Sequence, residues 1–215
     1  VETVNHSVAT GAPPTGESLS PQKQAQVLEG ATVIFARDGY EGASMSEIAR
    51  AAGVSKGTLY NYFDSKAALF AAYVQLQCRE TVSRMMSDAQ ASDCPAEVLT
   101  TIARRMLEVM LSASGLTIYR VVIAEAEKFP ALAQAFYDAG PARVIAFLAQ
   151  YLTEETRRGR LVVADADLAA EQFIALCQTR LYLRRKLCMI APPSAAEVEQ
   201  IVSAAVRMFL AAYSA

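Results

Sequence analysis

The stretch GVSKGTLYNYF, residues 53–63, sets a lysine, a threonine, two tyrosines, an asparagine and two glycines around one leucine. These side chains suit contact with nucleic acid. Tyrosine hydroxyls and a lysine ammonium anchor phosphates. Asparagine can read a base edge, and threonine offers a hydroxyl and a methyl that can meet a thymine methyl. On a helix, successive residues rotate by about 100°. With Leu59 facing inward, Phe63, Tyr62 and Lys56 flank the inward face and Gly57 and Asn61 point most directly outward, with Thr58 and Tyr60 at the sides. A glycine at the centre of that surface lets the backbone approach bases or phosphates closely. Taken alone, the same pattern also describes a helical hairpin with a polar, solvated face.

Other chemistries have less to build on. Cys78, Cys94, Cys177 and Cys188 show no metal-ligand spacing, and the only histidine is His6, so no metal site and no cofactor is expected. No catalytic set is found: a nucleophile would need a base, and Glu125 and Glu127 stand two apart on a helix, hence on different faces. Cys177 and Cys188, if on one continuous helix, would lie roughly 16 Å apart along its axis, too far for an intrahelical disulfide. Reduced thiols are the expected state, and a cytoplasmic location goes with them. No run of about 18 apolar residues suggests a membrane span. The Pro-, Gly- and Ser-rich residues 1–20 lack the pattern of a signal peptide and read as a disordered arm.

The elements that must hold residues 53–63 are helices. Ser20-Pro21 begins the first, which ends at Asp38-Gly39. Ser44-Met45-Ser46-Glu47 forms a capping box for a short second helix that stops at Gly53. A third runs from Ser55 to about Tyr62, and Asp64 or Ser65 caps a fourth reaching about Ala89. Further helices are expected over 95–111, 117–127, 130–158 with Gly140-Pro141 as punctuation, 166–189 behind an Asp165 cap, and 195–212 behind a Ser194–Glu197 capping box. Leu161-Val162-Val163 is too short to count as a strand. The fold class is all-α, about nine helices. The chain divides into a helix-turn-helix unit over 21–65 and a larger bundle over 66–215.

The run LEGATVIFARDGYEGASMSEIARAAGVSKGTLYNYFDSKAALF, from Leu28, resembles the N-terminal signature of the TetR family of transcriptional regulators. Phe35, Gly39-Tyr40, Ser44, Ile48-Ala49, Ala52-Gly53-Val54 and the segment from Ser55 to Tyr60 carry the match, extended by Tyr62-Phe63, Ser65-Lys66 and Leu69-Phe70. The resemblance implies a homodimeric repressor of an all-helical fold, bound to a double-stranded DNA operator. It implies that Ser44, Met45 and Ser46 meet phosphate or groove edge. Ser55, Lys56, Gly57, Thr58 and Tyr60 would form the reading surface with Asn61 and Tyr62 beside them, and Lys66 would hold a phosphate. Ile48, Ala49, Val54, Leu59 and Phe63 would pack.

Charge gives this reading little help. The whole chain carries −2, and residues 21–70 hold five basic and five acidic side chains. Helix N-termini supply partial positive charge without charged residues, so a shallow salt dependence of DNA binding is expected.

In the second unit, the last two helices are apolar around much of their circumference. Ile174, Leu181, Val198, Ile201, Val202, Ala205 and Phe209 are the expected dimer contacts. Arg180, Arg184, Arg185 and Lys186 read as a solvated or inter-subunit face. The middle helices carry adaptable apolar groups. Met106, Met110, Tyr119 and Phe136, with Phe147, Tyr151, Phe173 and Cys177, are candidate lining for a small, largely apolar effector, against the plainer reading of ordinary core. The stretch from Leu116 to Leu152 also resembles the C-terminal domain of AefR-like and AcrR-like members. A different class remains open: a TetR-like helical interaction module that no longer binds DNA.

Overall fold

The computed structural model describes residues 20–215, so the arm expected over 1–20 lies, apart from Ser20, outside the described residues. Eleven helices follow one another: α1 (Pro21–Gly42), α2 (Met45–Ala51), α3 (Lys56–Tyr62), α4 (Lys66–Ala89), α5 (Pro95–Leu111), α6 (Ala113–Glu125), α7 (Pro130–Ala139), α8 (Pro141–Arg157), α9 (Ala166–Cys177), α10 (Leu181–Lys186) and α11 (Ala195–Tyr213). Among the described residues the sole β feature is one isolated bridge, Leu161 to Ser214.

The caps act where the sequence places them. Ser44, Ser55, Ser65, Asp165 and Ser194 each accept a backbone N–H from the first turn of the helix that follows. Ser20 occupies a cap position but makes no side-chain cap bond. Each working cap is worth about 1 kcal/mol. Within α1, Gly39 is non-helical at φ 70°, so the helix breaks where Asp38-Gly39 suggests.

Nine expected helices become eleven through two breaks. Gly140-Pro141 separates α7 from α8, because proline cannot donate the N–H that continuation requires. The second break falls inside the helix expected over 166–189. Leu181 N–H donates to the Thr179 carbonyl at 2.7 Å around Arg180, which sits at φ 60°, ψ −55°. That is a γ-turn of the rare, strained hand, and periodicity carries no sign of it.

Two apolar cores result. One joins α1, α2 and α3 to the first half of α4: Ile48, Leu59 and Leu69 are fully buried there, beside a cluster of Phe35, Tyr40, Phe70 and Tyr73 rings. Val122 of α6 and Leu132 of α7 belong to this core as well. The other fills the bundle of the remaining helices, with Phe173 and Phe209 edge to face at 5.1 Å. The one buried charge among the described residues, Glu155, is held by Arg160 and Arg158.

Candidate nucleic-acid interface

The turn between α2 and α3 is fixed from three directions. Gly53 takes φ 63°, a conformation that L side chains rarely adopt. Gln26 of α1 donates through Nε2 to the Ala52 carbonyl at 2.6 Å. Gly30 of α1 packs so closely that a Cβ there would lie 2.6 Å from the Ala52 nitrogen. Then Leu59, fully buried, and Phe63, at 7% exposure, lock α3 onto the domain.

The opposite face of α3 is free. Lys56, Gly57, Tyr60 and Asn61 are exposed, with Tyr60 at 41% and the Lys56 ammonium 6.0 Å from its ring centre. Thr58 is half-buried; its hydroxyl lies 2.7 Å from that of Ser55, whose oxygen also accepts the Thr58 N–H at 2.9 Å. At the start of α2, Ser44 accepts the Glu47 N–H at 3.2 Å and donates to its carboxylate at 2.7 Å. Ser46 is exposed.

Three residues expected at this surface are placed otherwise. Met45 is 8% exposed and its side chain belongs to the core, so only its backbone faces the α2 start. Tyr62 is half-buried, and its hydroxyl accepts the Ser20 N–H at 2.9 Å, tying down the beginning of α1. Lys66 is turned inward. Its ammonium donates to the carbonyls of Tyr40 at 2.8 Å, Ala43 at 3.2 Å and Glu41 at 3.4 Å. An ammonium has three N–H donors, and here all three point at backbone oxygens rather than outward.

Arg50 was not among the expected contacts. It is exposed, has no ion-pair partner among the described residues, and lies one turn after Ser46 on the same helix. The i, i+4 spacing that shares a face was the available signal.

The other two expected sets lie mostly in the core of the protomer. Met106, Phe173 and Cys177 are buried core, with Met110, Phe147 and Tyr151 packed against them. Burial pushes the Cys177 thiol and the Tyr151 hydroxyl up to about 12. Tyr119 and Phe136 stand apart from that group, edge to face at 6.4 Å on α6 and α7. A cleft of about 250 Å³ lies between α10 and the start of α11. Of the expected dimer contacts, Leu181, Ile201, Val202, Ala205 and Phe209 are buried inside the protomer, and Ile174 and Val198 pack against the same core. The exposed apolar residues of this region are Leu168, Leu183, Leu187, Met189 and Met208. Helical periodicity finds an apolar stripe but does not say which side of a two-sided helix its own bundle takes.

The family model described as "Bacterial regulatory proteins, tetR family" matches residues 27–73, and "AefR-like transcriptional repressor, C-terminal domain" matches residues 97–215. The chain belongs to the TetR family of transcriptional regulators. A crystal structure of a TetR-family regulator from Mesorhizobium loti superposes with a TM-score of 0.83 at 30% identity, covering 93% of this chain and 100% of that one. The Flavonoid-responsive Regulator FrrA is similar at 33% identity and TM-score 0.71, over 91% of this chain and 98% of its own. Among curated relatives, the transcriptional repressor AcnR of Corynebacterium efficiens is 34% identical over 47% of this chain and 46% of its own length. The uncharacterized regulator YuxN of Bacillus subtilis is 33% identical over 41% of this chain and 29% of its own length. The chain thus spans about half or less of these curated relatives. Their names describe transcriptional regulators rather than enzymes. No single helix among the described residues is long and apolar enough to cross a membrane.

Proposed function

We propose that this TetR-family chain is a repressor that binds a palindromic operator as a homodimer and is released by a small effector. The observation that carries the DNA half is the free polar face of α3, held outward because Leu59 and Phe63 are buried beneath it. Lys56, Gly57, Thr58, Tyr60 and Asn61 read the groove, with Ser55 at the edge. Ser44, Ser46 and Arg50 on α2 meet the backbone of the DNA.

The dimer half is supported by the exposed apolar residues of α9, α10 and α11, which a second copy would cover. Two-fold pairing would set the recognition helices about 34 Å apart, one turn of duplex. The effector half is supported by the likeness to a regulator named as flavonoid-responsive. Effector and operator would then oppose one another with a shared coupling energy of about 1–3 kcal/mol. Such a protein works in the cytoplasm, where its four cysteines stay free.

Selection of binding sequences from random duplex DNA tests the reading. A palindrome with half-sites one helical turn apart is expected to enrich. If no sequence enriches over a non-specific background, the chain is an interaction module rather than a repressor.

A further inference from the structure

The cleft between α10 and α11 has a composition of its own. Leu181, Ile190, Pro193 and Ile201 give it apolar walls, and Arg180 and Arg184 stand on its lip, both exposed and neither ion-paired among the described residues. Glu197 also lines it and stays ionised, its Oε2 accepting from the Ser194 N–H and hydroxyl, both at 2.8 Å, so the two guanidiniums still leave the lining with a net positive charge. At about 250 Å³ the cleft is just below the usual range for ligand pockets, which suits a small molecule. Two guanidiniums over apolar walls match a carboxylate attached to an apolar body.

The element carrying those guanidiniums is unusual in its backbone. The two non-glycine residues with positive φ among the described residues are Arg180 at 60° and Cys188 at 58°, and they bracket α10. Residues held in such sparse conformations cluster at ligand sites and switches. On its far side α10 is tied to α6. Arg120 donates to the carbonyls of Arg185 at 3.1 Å and Lys186 at 3.3 Å, and the Lys186 ammonium lies 4.6 Å from the Tyr119 ring centre. Two residues further along α6, Val122 is buried in the core that holds α1 and α4. One contiguous set of contacts therefore runs from the cleft through α10 and α6 to the helix-turn-helix unit.

We propose that this cleft binds a small amphipathic monocarboxylate, and that α10 transmits its occupancy to α6 through Arg120. The binding step stands independently of the operator reading; only the transmission step rests on it. A carboxylate sits against Arg180 and Arg184 with its apolar body on Leu181, Ile190 and Ile201. It pulls on the strained turn at Arg180, and α10 moves the end of α6 that touches the DNA-binding core.

Calorimetric titration of the full chain with octanoate and with cinnamate tests the site, with octanamide and cinnamamide as uncharged controls. At least one acid is expected to bind at least about tenfold tighter than its amide. An R180Q/R184Q variant is expected to lose that preference, while R184K keeps part of it. Both arginines are exposed, so an unchanged thermal midpoint verifies that the variants fold. The site is overturned if neither acid binds, if acid and amide bind alike, or if R180Q/R184Q binds unchanged. For transmission, the bound acid is expected to weaken operator binding in the native chain, and Arg120→Met to bind the acid equally while losing that effect. Full retention of the effect in Arg120→Met overturns the α10–α6 route. A chain that binds no DNA even without acid contradicts the operator reading and leaves the calorimetric result standing.

Discussion

Lys66 donates its ammonium to the carbonyl of Tyr40 at 2.8 Å while lying 4.5 Å from the centre of the same residue's ring. The first turn of α4 thereby holds the end of α1, directly before Ser44 begins α2. A side chain expected to hold a phosphate instead positions the start of α2, which the proposed reading sets against DNA. Lys66→Met is expected to lower unfolding stability by about 1–2 kcal/mol, since charged hydrogen bonds are lost and carbonyls left unpaired. Urea denaturation measures that loss. The salt slope of operator binding should stay unchanged, whereas removal of a true phosphate contact would reduce it by about 0.9 per protomer.

The case of Lys66 marks where sequence stops being informative. Most helix starts were legible because caps are local: Ser44 and Ser194 announce themselves within a few residues, and Ser65 was one of two candidates, whereas Ser112, which starts α6 at Ala113 rather than near 117, was missed. The inward anchoring by Leu59 was legible because it is the one aliphatic residue of α3. The direction of a long side chain was not, because Lys66 can reach either a phosphate or three carbonyls, and only packing decides. The same holds for Ile201 and Val202, whose apolar character fits a dimer face as well as a core. The γ-turn at Arg180 was invisible because no glycine or proline marks it.

With Lys66 turned inward, Arg50 and Lys56 are the exposed cations of α2 and α3. A dimer using both would neutralise about four phosphates, giving a log–log salt slope of about −3.6. Anisotropy titrations over a salt series should find that shallow slope, and Arg50→Gln should flatten it further. A slope near −10 would be incompatible with so few side-chain contacts.

Thiol chemistry should divide the four cysteines in two. Burial raises the Cys177 thiol to about 12 and the Cys78 thiol to about 11, so both stay protonated at pH 8, and only thiolate reacts. Cys94 and Cys188 are exposed. Iodoacetamide at pH 8, followed by mass spectrometry, is expected to modify Cys94 and Cys188 quickly. Cys78 and Cys177 should react only after unfolding or as pH climbs towards 11. Rapid labelling of Cys177 in the folded chain would contradict its burial.

Two substitutions on α11 separate the protomer core from the proposed dimer face. Val202 is fully buried, so Val202→Ala should cost about 1–3 kcal/mol of stability. Met208 is 58% exposed, so Met208→Glu should leave the protomer folded but shift sedimentation towards a single copy. A native chain that already sediments as one copy would remove the dimer from the account.

The central claim is that the outer face of α3 reads DNA, and Tyr60→Ala tests it most directly. Tyr60 is 41% exposed on that face, so its truncation should leave the thermal midpoint unchanged. Anisotropy against the selected operator is expected to show a loss of about 1–3 kcal/mol, roughly five- to 150-fold in Kd. Native affinity in Tyr60→Ala, with the fold intact, would contradict the assignment.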